Sequence, residues 1–512
     1  MTRRFGALLC ALALALALTL AGCWAADEPD EEDSAFWQEE SSGAENTQDM
    51  PITAFALPYL QGVGLDPVTC PDGMQQTLGA LLYEGLFTLD ESFAPQGVLC
   101  SHYDRSDDCT AFTFYLREGV RFSDGSDLTA ADVLSTLRRA AQSERYGARF
   151  ADVASMRVSN GALLITLTRA NSAFPALLDI PIIKSGSEKS TVPPGTGPYL
   201  YVTDGEGAHL QRSGEWWQDK VLPLARIELR AAKDADTASY LFASREVHLL
   251  TADLTGSAGE LHSANTLLTD YAGTAMLYLG FNTQRAPLSS ALLRSAIAGS
   301  FDRATVVSGY LAGHAEEARF PISPRSAVYP ALLAQTFAAP ALAAGLADAG
   351  ITEDRPRTLT ILVNENDSFK VSIAEYLSRT LSGGALTVTV RALPWADYLT
   401  ALESGIFDLY LGEVRLTADW NVSALVRSDG ALNYGRYADE QCDALLDAFL
   451  ADGSLPAAEA LCRCLAENAP IAPIAFKSLS VLTPEGLVEG LAPTVSSPFY
   501  GFEGWTVRFD KT

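Results

Sequence analysis

The chain holds many ionisable side chains but few in the patterns that catalysis or metal binding requires. Of its 512 residues, 63 are Asp or Glu. Neighbouring acids such as Asp107-Asp108 and Glu316-Glu317 have the residue types of a general acid and base, but among so many carboxylates such pairs arise by chance. The five histidines, His102, His209, His248, His262 and His314, are scattered without metal-ligand spacing. There is no G-x-S-x-G elbow, phosphate-binding Walker loop or H-E-x-x-H helix. "GVGLDP" at 62–67 lacks the third glycine and the following helix pattern of a dinucleotide loop. The residues therefore point away from an enzyme and imply no cofactor or metal. Cys462-Arg463-Cys464 is not a zinc spacing, and no histidine stands near it. In an oxidising compartment Cys100 could pair with Cys109 across a hairpin, and Cys442 with Cys462 between adjacent helices. The connectivity of these and of Cys70 and Cys464 stays open.

The N-terminus reads as an export signal. Arg3 and Arg4 precede an apolar run from Phe5 to Leu20. Leu20-Ala21-Gly22-Cys23 follows and resembles the lipobox of bacterial lipoproteins, which implies cleavage after residue 22 and lipid on Cys23. An uncleaved membrane helix is the alternative, since apolar residues continue to Ala26. Residues 24–50 contain ten acids and no Lys or Arg, so 23–50 is expected to be an acidic disordered tether. The expected location is the extracytoplasmic face of the cell membrane. A formal net charge of −27 argues against nucleic acid as a partner and against adhesion to anionic lipid.

From residue 51 onward, strand and helix patterns alternate, as in an α/β fold. In "AFTFYLREGVRFSDGSDLTAADVLSTLRRA" (111–140), Phe112, Phe114 and Leu116 have the period of a half-buried strand. Thr129 and Asp132 have capping-box spacing before the apolar stripe Val133, Leu134 and Leu137. Residues 358–392 read as strand, helix, strand, hence a parallel pair with a crossover helix. Segments 236–254 and 397–414 share a helix–break–strand pattern and suggest two lobes built alike.

Five blocks in order resemble the extracytoplasmic solute-binding proteins of peptide and nickel ABC importers. They are "LDP" (65–67), "LLYEGLFTLDESFAPQGVL" (81–99), "FTFYLREGVRFSDGSDLTAADV" (112–133), "PGTGPYLYV" (194–202) and "LYLGFNTQRAPLSSALLRSAIAGSFDRATVV" (277–307). The resemblance implies a two-lobed periplasmic-binding-protein-like (type II) α/β fold with an additional small domain on the first lobe. Carried over, lobe I takes 51–84, 190–275 and 480–512, the extra domain 85–189, and lobe II 276–479. It further implies a monomer that binds a peptide or other small solute between its lobes and passes it to ABC permease subunits. By the same resemblance Asp419, in "TADWN", receives the peptide's amino group. Trp420 and Trp395 form apolar walls, Asn282 and Asn364 occupy cleft positions, and Arg415 could face the ligand's carboxylate. Other solutes remain open (a nickel chelate, a sugar, a signalling peptide), as does a secreted hydrolase or a receptor that only senses.

Overall fold

The computed structural model describes residues 51–71, 73–205, 207–255 and 265–510. The export signal, Cys23 and the acidic tether lie outside the described residues. Among those described, no helix is long and apolar enough to cross a membrane.

The mixed α/β chain builds three main sheets, each with its own core. A four-stranded sheet sets Ala56–Leu60 beside Arg226–Ala232, Gly207–Arg212 and Tyr199–Asp204. Leu57, Tyr199, Leu210 and Ile227 form its buried side. A second, antiparallel sheet runs Cys100–Arg105, Ala111–Leu116, Ala162–Leu167, Val153–Ser159. Phe112 and Phe114 alternate into its core as their spacing requires. Helix Ala130–Ala140 covers that core with Val133 and Leu137. Its N-terminus has the expected capping box: Asp132 accepts from the backbone N–H and the hydroxyl of Thr129. Arg117 donates to the carbonyls of Val98 and Gly97, and Asp124 accepts from Ser126 and Lys184. The charges of this segment are thus spent on turns and caps.

The third sheet has seven strands. Arg357–Asn364 and Leu386–Leu393 pair in parallel, joined by helix Ser368–Leu381, and Leu409–Arg415 runs parallel to the first of them. Two long antiparallel strands, Thr266–Phe281 and Ile471–Pro484, complete the framework. At about 3.3 Å per residue, a strand of 16 residues reaches about 50 Å, enough to serve both lobes. The expected limits at 275/276 and 479/480 therefore fall inside single strands. A register shift between Ala272 and Met276 lets this pair bend.

Two expectations change here. The strands of the two similar segments, Leu250–Ala252 and Leu409–Arg415, belong to one sheet, linked through the long strands, rather than to two. The six cysteines of the described residues are all buried free thiols. Cys100 lies opposite Leu116, at the far end of its hairpin from Cys109, roughly 15 Å along the strand and beyond disulfide reach. Cys442 meets Cys464, not Cys462, because Cys464 is the thiol that helix Leu455–Asn468 turns toward helix Glu440–Asp452.

Candidate functional site

Parallel strands all end on the same side of their sheet, and in open α/β sheets ligands collect beyond those carboxyl ends. Four of the expected residues follow the strand ends on that side of the sheet, though they do not share one pocket. Asn364 ends its strand in register with Leu393, just before Trp395, while Arg415 ends the third strand and Asp419 follows four residues later. Asn282 is not with them. It follows Phe281, which pairs with Leu409 at the opposite end of that third strand. Its Nδ2 donates to the carbonyls of Gly405 and Phe407 at 3.1 and 3.0 Å, and its Oδ1 accepts from Gln284. Buried and committed to these bonds, Asn282 braces a turn at the opposite end of the strand from Asp419.

Asp419 is 3 % exposed. Its Oδ2 accepts from Asn171 Nδ2 at 2.7 Å. Its Oδ1 accepts from Thr417 Oγ1 at 2.5 Å and from the Asn421 backbone N–H at 3.3 Å. Burial pushes the Asp419 carboxyl above its ordinary value, against the pull of these three donors. All three are neutral, so among the described residues this buried carboxylate has no basic partner. Trp420 has φ 56°, a left-handed backbone uncommon for a bulky residue. This turns its indole inward, where Nε1 donates to Ser326 Oγ at 3.0 Å.

The other wall comes from far away in the chain. Phe93, also left-handed at φ 65°, stands edge-on to Trp420 with ring centroids 4.9 Å apart. Beside Asn171, the Ser172 backbone N–H donates to the Leu450 carbonyl at 2.7 Å. A space of about 160 Å³ lies among Phe93, Asn171, Asp419 and Trp420. Phe93 and Ser92 also line a larger cavity of about 630 Å³, within the usual range of small-molecule sites, about 300–1,000 Å³. Asp90, Glu91, Glu316, Thr494 and Tyr500 also line it, with Asp270 of the long strand Thr266–Phe281.

The remaining expected residues lie apart. Trp395 is 52 % exposed and stacks on Tyr398. Asn364 accepts from the Asn366 backbone N–H in the turn before helix Ser368–Leu381. Arg415 is exposed at the strand end. Glu413, two residues earlier, is held between Lys370 at 3.1 Å and Lys477 at 3.7 Å. Sequence reasoning missed Phe93, Asn171, Asp270 and Tyr500. No local signal marks them, because each reaches the site only through tertiary packing.

Residues 94–429 match the family described as bacterial extracellular solute-binding proteins, family 5, middle region. The chain belongs to that family. It is 26 % identical over 415 residues to the glutathione-binding protein GsiB of Salmonella typhi, covering 75 % of this chain and 80 % of the relative. Among solved structures it is similar to the ABC transporter substrate-binding protein CtaP of Listeria monocytogenes, with TM-score 0.70 and 20 % identity over 89 % of this chain and 99 % of the other. It is also similar to the oligopeptide-binding protein AppA of Bacillus subtilis, solved with a nonapeptide. There the TM-score is 0.61 and identity 18 %, covering 90 % of this chain and all of that one. The protein is thus a two-lobed solute-binding protein of the ABC importer type, and its relatives are binding proteins rather than enzymes.

Proposed function

We propose that this solute-binding protein captures short peptides bearing a free amino group, and delivers them to an ABC permease while anchored by lipid on Cys23. The observation that carries the reading is Asp419, a buried carboxylate with only neutral donors around it, in the contact between the lobes. Burying a lone charge is costly, and a ligand ammonium would supply the missing cation through a charge-assisted bond. Trp420 and Phe93 give apolar walls beside it. A cavity of about 630 Å³ suits a short peptide better than a long one. The glutathione-binding relatives agree with a small ligand of that kind, although the AppA structure holds a nonapeptide.

A thermal-shift titration tests the reading. Tripeptides with a free N-terminus should raise the melting temperature, while their N-acetylated forms should not. In Asp419→Asn the ligand-induced shift should be lost. The ligand-free variant should melt no lower than wild type at neutral pH, because a carboxyl held above its ordinary value weakens the fold once pH rises past that range. Equal stabilisation of the wild type by acetylated peptides would remove Asp419 from the amino-group role.

A further inference from the structure

The larger cavity has a charge pattern that the amino-group role of Asp419 does not use. Four carboxylates line it, Asp90, Glu91, Asp270 and Glu316, against one guanidinium, Arg325, which is already bonded to Glu316. Among the described residues, the other three have no lysine or arginine partner. Asp90 is closed into its own turn: it accepts from Ser92, Ala94 and Gln96. Burial would raise its carboxyl, but these bonds outweigh it and hold it below the ordinary range, so it is charged at neutral pH. Asp270 accepts from Ser480 Oγ at 2.6 Å, and its other oxygen stands 2.8 Å from His314 Nδ1. Glu91 is exposed.

Two further residues line this space. Thr494, 3 % exposed, lines the cavity with its hydroxyl oxygen unpartnered, and a buried polar atom without a partner costs free energy until something bonds it. Tyr500 lines it too; burial first, then the charges of Asp90, Glu503 and Glu91, hold its hydroxyl above the ordinary value. The walls therefore present negative potential to whatever lies between them, and low-dielectric walls focus such a field.

We propose that this cavity takes a cationic side chain, so that the preferred ligands are peptides carrying lysine or arginine in addition to their free amino group. Asp270 and Glu91 are the groups that discriminate, Thr494 supplies a polar contact, and Tyr500 covers the alkyl stem of the side chain. Asp270 is the central one, because it sits on the long strand Thr266–Phe281 and lines the cavity together with Asp90, Glu91 and Glu316. This inference rests on the peptide reading of the preceding section.

The test is calorimetric titration of the purified protein with three probes, Ala-Lys-Ala, Ala-Ala-Ala and Ala-Glu-Ala, at low and moderate salt. Ala-Lys-Ala should bind at least about tenfold more tightly than Ala-Glu-Ala, with the gap narrowing as salt rises. In the double variant Glu91→Gln, Asp270→Asn, the two should come within about threefold of each other, as removal of two partners of the cation requires. Circular dichroism melts confirm that this variant is folded. Equal or tighter binding of Ala-Glu-Ala overturns the inference alone. So does discrimination that survives the double variant, since the cation would then be read elsewhere. Failure of all three probes to bind overturns the peptide reading, and this inference with it.

Discussion

At the scale of single residues, one histidine shows how a side chain without any motif acquires a physical role. His248 is 4 % exposed. Its Nδ1 accepts from the Ala56 backbone N–H at 2.8 Å, so the neutral ring carries its hydrogen on Nε2, which reaches the Arg245 carbonyl at 3.0 Å. Burial depresses its pKa to about 4. A histidine kept neutral in the fold but free to protonate in the unfolded chain stabilises fully above its ordinary value. That stability is lost as pH falls from about 6.5 toward 4, in total on the order of 3 kcal/mol. We expect the melting temperature of the ligand-free protein to fall across that window and His248→Gln to flatten the fall. A pH series of thermal melts reads both. Asp419 has the opposite sign, since its carboxyl is raised in the fold. The two residues look alike in the sequence, each a lone titratable group in an apolar context, and only their partners separate them.

At the scale of elements, two long strands decide how the lobes are joined. Within their bulge, a Cβ on Gly273 would stand 2.6 Å from the Lys477 carbonyl oxygen, a backbone atom that cannot move aside. Gly273→Ala should therefore destabilise by about 1–3 kcal/mol, measured as a lower midpoint in urea. Between the lobes, the turn of Phe93 and the segment at Asn171 reach across to Trp420, Asp419 and Leu450. Left-handed backbone at both Phe93 and Trp420 costs on the order of 1–3 kcal/mol each, which burial of the two rings, more than their edge-on contact alone, must offset. Among the described residues, Asn171 is the only side-chain donor to Asp419 from a distant part of the chain. Asn171→Ala removes that bridge, and the ligand-free variant should scatter X-rays with a larger radius of gyration than wild type. An unchanged radius would mean that Phe93 and Ser172 hold the contact without it.

At the scale of the whole molecule, much of the architecture was legible before folding was considered. Binary pattern alone located strand Ala111–Leu116, helix Ala130–Ala140 and the parallel crossover of 357–393, because side-chain period is a local property of each element. The turn and cap roles of Asp124 and Asp132 were equally local, fixed by neighbours within three residues. Family membership was legible too, carried by blocks whose order needs no coordinates. The pairing of cysteines was not, since whether Cys442 meets Cys462 or Cys464 depends on the rotation of one helix against another. Nor was Asn282, whose place at a strand end said nothing of which end of the sheet that strand occupied. Most of the site was hidden for the same reason. Sequence determined that Asp419 follows a buried strand. Tertiary structure alone decided that Asn171, 248 residues away, would meet it, that among the described residues no cation would, and that Asp270 would line one cavity with Asp90 and Glu316. Secondary structure is fixed by interactions over three or four residues, whereas a cleft between lobes is made by packing distant segments together, and the charge it presents belongs to none of them singly.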